Sequence, residues 1–301
     1  MSSRWLTAAR IAFLVLAMGF AWWGLRDQWS AILDAIAALP WWRILAAQVL
    51  VVAGLLLTAG IWRTVVRGYG HELPDRPARS IFFVGQLGKY IPGGVWSLGA
   101  QAAMATRYAV PPRVTVAVGL VFLGLHVLTA APVAVLVLPD LDAPPLAVAL
   151  LGAGLLALAA SPVVDRAGTW AAGAPLRLGS AVRIRVLLVM LVVWAAYGAA
   201  STLLVPPTAT PGATGTGSAL GTAVLVTGAV AAAYLVGVVV VIAPAGVGAR
   251  EATLGLLLAP TLGVPAAAAV ALLSRLVHTV GDLLLAAVAW WSARDVDPPR
   301  D

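Results

Sequence analysis

Five ionisable residues, Lys89, Arg250, Glu251, Arg275 and Asp282, fall within or against apolar segments of a 301-residue chain in which only 10% of residues are charged. Left alone at mid-bilayer, each would cost about 2.5–3.5 kcal/mol. Together these costs approach the roughly 5–15 kcal/mol that holds a folded protein, so the five must be paired, hydrated or both. Arg275, His278 and Asp282 are spaced i, i+3, i+7, which puts them on one helical face with Thr279 beside them. That face is expected to look into the bundle. For Arg275 and Asp282 two readings stand side by side: a structural ion pair, with Arg275 meeting Asp282 or Glu251, and direct handling of a ligand.

Lys89, the only lysine, and Arg250 each adjoin a break in an apolar run. Residues 88–96 read GKYIPGGVW, and Pro92, Gly93 and Gly94 together stop a helix and restart it. In lipid such a break survives only inside protein or beside water. The expected result is a half-helix over 95–104 whose positive N-terminal end faces a bound anion. Residues 241–251, VIAPAGVGARE, form a second break, and aligning Pro92 with Pro244 superposes Gly94 on Gly246 and Val95 on Val247. Paired, interrupted hydrophobic segments are the sequence pointer to a transporter's central site. The run Gly246, Val247, Gly248 is not a dinucleotide fingerprint, because Glu251 stands where the third glycine belongs and no βαβ unit surrounds it.

No cysteine is present, and three histidines cannot build a rich metal centre, so no cofactor or metal is expected. His126 reads as a packed or cavity-lining residue and His71 as a loop residue.

The elements that must position these residues are membrane helices. With 61% hydrophobic residues and a mean hydropathy of +0.98, the chain has too little polar surface for a water-soluble domain of this length. It reads as one all-α integral membrane domain over 1–301. Apolar spans are expected at 11–25, 44–62, 114–138, 146–164, 186–205, 220–242 and 266–291, which makes a polytopic bundle of about seven to eight spans with two broken or re-entrant elements. Trp22 and Trp23 occupy the place of a signal-peptide cleavage site, so 11–25 reads as a retained span; Trp41, Trp42, Trp290 and Trp291 read as interfacial anchors. The formal net charge of +7 resides in short loops, at 63–79 and 165–185 above all, which suits the positive-inside rule and lipid headgroups better than nucleic acid. Placing those loops inside gives a cell-membrane protein with a cytoplasmic N-terminus. On this span count the 82–104 excursion and the one at the second break enter from the same side.

At these residues the chain resembles the transmembrane region of lysylphosphatidylglycerol synthases, a flippase-like family. GKYIPGGVW at 88–96 is similar to its first Pro-Gly motif and APAGVGAREATLGLLL at 243–258 to its second, with Ala245 departing from the usual glycine; Arg275 adds to the likeness. Carried over by residue, Pro92, Gly93 and Gly94 match the first break, and Pro244, Gly246, Gly248 and Glu251 the second. The resemblance implies a standalone member without the aminoacyl-transferase domain, moving an anionic, aminoacylated or polyprenyl-phosphate lipid between leaflets. A homo-oligomer or a separate lipid-modifying enzyme would be its protein partner. The expected site has the phosphate between two half-helix N-termini, countercharge from Lys89 and Arg250, and Glu251 and Asp282 holding the basic residues in place. No catalytic motif is found, so the chain is not read as an enzyme. Two alternatives remain: a membrane-embedded transferase on polyprenyl-phosphate sugars, with Glu72, Asp75 or Asp165 as its carboxylate, and a non-transporting accessory subunit.

Overall fold

The structure, a computed structural model, describes residues 26–91, 95–137, 145–207, 209, 218–240 and 246–294. The span expected at 11–25 and the break residues Pro92, Gly93, Gly94 and Pro244 lie outside the described residues. Eleven α-helices are described, with short 3₁₀ turns and no strand among the described residues. They are α1 (Trp29–Ala37), α2 (Trp41–Gly68), α3 (Asp75–Gln86), α4 (Trp96–Ala105), α5 (Pro112–Ala134), α6 (Pro145–Ala160), α7 (Val163–Ala172), α8 (Ser180–Leu203), α9 (Ala219–Val239), α10 (Ala249–Leu262) and α11 (Val264–Ala293).

Five of them, α2, α5 with its 3₁₀ extension to Val137, α8, α9 and α11, are long and apolar enough to cross a membrane. The expected continuous span at 146–164 is divided. Ser161 Oγ donates to Leu158 O at 2.7 Å and accepts from Val163 N at 3.3 Å, turning the chain between α6 and α7 beside Pro162. Leu45, Val49, Leu276, Leu283 and Val288 are exposed on the outer faces of α2 and α11, as lipid contact requires. The pairs Trp41, Trp42 and Trp290, Trp291 are also exposed, at the start of α2 and the end of α11.

α8 runs antiparallel to α2, with Gly54 against the Tyr197 ring towards one end and Gly68 against Leu176 and Leu178 at the other. The two basic loops therefore meet on one side of the bundle, where Arg177 N donates to Gly68 O at 2.9 Å. Arg63 there binds Leu73 O and Asp75, and Arg67 binds Glu72 at 3.1 Å. Arg183 ties α6, α7 and α8 together through Ala160 O, Asp165 and Leu178 O. Burial, reinforced by the negative charge of Asp165, pushes the Tyr69 hydroxyl up to about 12.

The apolar core is split into two along the bundle. One cluster takes Ala59 to Val66 of α2, Val114 to Leu125 of α5, Met190 of α8 and Leu285 to Ala289 of α11. The other takes Ala47 and Val51 of α2, Ala130 of α5, Val193 to Ala200 of α8 and Ala266 to Val277 of α11. Between them on α5 and α11 lie His126, Thr129, His278 and Asp282, all buried. The polar residues thus form a seam across the middle of the bundle.

The two breaks reach this seam from opposite ends, which corrects the expectation of a common side. α3 begins where Asp75 meets Arg63 near the C-terminus of α2. The far end of α10, Leu262, lies by Ala31 and Ala35 of α1, just ahead of the N-terminus of α2. The reason is depth. The second break folds back at the level of Arg275, inside the bundle, so α10 returns to the side from which α9 came.

Candidate functional site

Three pieces converge on α11: the turn after α3, the N-terminus of α10, and α11's own inward face. The first is a hairpin closed by glycines. A Cβ on Gly88 would lie 2.5 Å from Ser97 N and 2.6 Å from Trp96 C, so only glycine lets α4 return this close. Gly85 meets Gln101 in the same way one turn earlier. Gln101 in turn accepts from Trp62 Nε1 at 3.1 Å inside the core, which anchors the hairpin to α2.

The 3₁₀ turn Leu87–Tyr90 at the end of α3 carries Lys89 and Tyr90 to α11. Lys89 Nζ lies 2.6 Å from Asp282 Oδ2, and Tyr90 Oη donates to the same oxygen at 2.7 Å. Asp282 is 6% exposed and Lys89 33%, so the pair is screened on the acid's side and reachable on the lysine's. The Tyr90 ring also lies 5.4 Å from Lys89 Nζ and 5.7 Å from the Arg275 guanidinium carbon. Tyr90 therefore links the two halves of the site, a role that sequence reading missed. Its position beside the lone lysine, with a hydroxyl in an apolar run, was the available signal.

The second break uses glycine for a different reason. Gly246 and Gly248 have φ of +70° and +84°, the region L side chains avoid. A Cβ on Gly246 would also stand 2.9 Å from Gly237 Cα, so α9 and the break touch backbone to backbone. Glu251 then caps its own helix: Gly248 N donates to Glu251 Oε2 at 2.6 Å. The other oxygen, Oε1, lies 3.6 Å from Arg275 Nη1.

The five charged residues named from the sequence are thus brought together, with pairings of their own. Asp282 holds Lys89, and Glu251 holds Arg275 rather than Arg250. Arg275 and Asp282, although on one face, each pair across to another element. Arg250 is half-buried and forms no hydrogen bond or ion pair with any described residue. Its Cβ is near Gly237, and the charges of Arg275 and Glu251, with Tyr197, Tyr234 and His278, lie within its electrostatic reach. Those residues belong to an aromatic row through the seam, with ring centroids 4.9 Å apart for Tyr197 and His278, 5.2 Å for Trp194 and Tyr234, and 5.8 Å for His126 and Tyr234. His278 Nδ1 is 2.8 Å from Ser274 O, while its buried Nε2 has no hydrogen-bond partner among the described residues.

Three cations and two carboxylates therefore share the site, a surplus of one positive charge that resides on Arg250. The described residues contain no cluster of three metal-ligating side chains. The carboxylates that a transferase would need, Glu72, Asp75 and Asp165, are held by Arg67, Arg63 and Arg183. No protein-family model matches the chain, and a search of curated proteins finds no match.

Proposed function

We propose that this chain is a flippase, moving a lipid with a charged or phosphorylated headgroup between the leaflets of the cell membrane. The observation that carries the reading is the surplus cation: Arg250 is half-buried beside a helix break and makes no ion pair with a described residue, and Glu251, whose charge reaches it, is already bound to Arg275. Holding an unpaired charge there is costly unless a counter-ion arrives. A lipid phosphate supplies that charge while its acyl chains stay in the bilayer. With Gly248 N already bonded to Glu251, the guanidinium, more than the helix end, carries the attraction.

Two hairpins entering from opposite ends and meeting at a polar seam suit a transporter whose halves rock about a central site. The likeness of 88–96 and 243–258 to the lysylphosphatidylglycerol synthase transmembrane region agrees with that reading. In this arrangement 11–25 adds a span, α6 with α7 completes another, and the N-terminus is cytoplasmic.

The test is transfer of a labelled anionic phospholipid between leaflets of reconstituted vesicles. Losing one charge-assisted contact, Arg250→Gln slows transfer roughly tenfold or more, and Arg250→Lys restores part of it. Transfer at the wild-type rate in Arg250→Gln overturns the proposal.

A further inference from the structure

A second feature lies away from the seam, on the lipid-facing flank between α2 and α8. α2 meets α8 halfway along, where a Cβ on Gly54 would lie 2.5 Å from Tyr197 Cε1, and meets the segment leading into α8 at its end, where one on Gly68 would lie 2.7 Å from Leu176 Cδ1. Between those contacts their shared outer face is hollowed. A Cβ on Gly60 would meet nothing within 4 Å, and the hollow is a groove of about 500 Å³. Its walls are apolar, with Leu57 and Ile61 on α2 and Val186 and Val189 on α8.

One end of the groove is strongly basic. Arg67, Arg177 and Arg185 all line it and are all exposed. Arg67 spends its Nε on Glu72, while Arg177 and Arg185 have no side-chain hydrogen bond or ion pair with a described residue. Arg183, two positions from Arg185, is by contrast consumed in holding α6, α7 and α8. Three arginines against one glutamate leave two positive charges. From Leu56 to Gly68 the groove follows α2 for about 18 Å, more than half of the roughly 30 Å hydrocarbon core. It therefore matches the chain depth of one leaflet.

We propose that this groove is a binding site for one acidic glycerophospholipid of the leaflet facing the basic loops. Its phosphate is bound by Arg177 and Arg185 with Arg67 beside them, and an acyl chain lies along Gly60. The apolar length of the groove selects a lipid over free phosphate, and the paired guanidinium groups select an anionic headgroup over a zwitterionic one. The site is separate from Arg250, so its occupant is not the transported molecule in the seam.

Native mass spectrometry of the full chain from nanodiscs of phosphatidylcholine alone, or with phosphatidic acid or phosphatidylglycerol, tests this. Retention is expected in the order phosphatidic acid, phosphatidylglycerol, phosphatidylcholine, with affinity falling roughly fivefold for each arginine removed in Arg177→Gln and Arg185→Gln. Gly60→Leu meets nothing at its Cβ, places its branched end against the apolar groove walls and favours the helix, so it is expected to fold and to lose the same lipid. Arg250→Gln is expected to leave that lipid bound, which separates failure here from failure of the transport reading. An unchanged lipid count in both Gly60→Leu and the double arginine variant overturns the site. Displacement by millimolar inorganic phosphate overturns the lipid as its ligand, and a dimer lost in Gly60→Leu with no lipid signal shows a second copy in its place.

Discussion

The two helix breaks look alike in sequence and are built to opposite ends. At the first, the described polar groups are committed: Lys89 and Tyr90 both bind Asp282, and Gly85 and Gly88 bring α4 hard against the turn. At the second, the carboxylate is committed and the cation is not, since Glu251 bonds its own helix and Arg275 while Arg250 feels its charge without a hydrogen bond or ion pair to any described residue. A basic residue beside a Pro-Gly break is thus not a uniform sign of ligand binding. In one case it locks the hairpin, and in the other it is left to meet an anion.

The sharpest way to break this contrast is to remove the acid of the closed hairpin. Asp282→Ala strands Lys89 and is expected to cost about 3 kcal/mol, at the lower end for a buried pair because the lysine is reachable by solvent; thermal unfolding in detergent reads the loss. Replacing both partners, as in Lys89→Met with Asp282→Leu and with Tyr90→Phe to remove the hydroxyl that donates to Asp282, is expected to return stability to within about 1 kcal/mol of wild type. Gly88→Ala comes next, at about 2–3 kcal/mol, because its Cβ meets backbone rather than a side chain that can turn away. Gly246→Ala is expected to lose about 1–2 kcal/mol from its positive φ, with the contact on Gly237 adding to it. Smallest of all for stability is Arg250→Gln, within about 0.5 kcal/mol by the same unfolding measurement. If Arg250→Gln destabilises as much as Asp282→Ala, the distinction between a locked and an open break is lost.

Much of the site was legible because charges are conspicuous in an apolar run. Lys89, Arg250, Glu251, Arg275 and Asp282 could be named from cost alone, and Tyr90 stood next to the first of them. The pairing of Arg275 with Glu251 was one of two on offer, but the choice between them, and the meeting of Lys89 with Asp282, was not legible, since helical spacing puts Arg275 and Asp282 on one face but says nothing of what crosses to meet them. The direction of the second hairpin was hidden for a related reason. Hydropathy reports that 220–242 can cross, whereas whether it does depends on the depth at which Gly246 folds back onto Gly237. The groove beside Gly60 was equally hidden among 30 glycines, because an open flank and a helix contact call for the same residue.

The measurement that bears most directly on the central contrast is the number of anionic lipids retained by the purified chain in native mass spectrometry. Wild type, Arg250→Gln and the Lys89→Met, Asp282→Leu double variant are compared from one membrane source. The account predicts one lipid fewer in Arg250→Gln and the wild-type number in the double variant, because only the open break has a charge to give. Equal counts in wild type and Arg250→Gln, or a lipid lost only from the double variant, would contradict it.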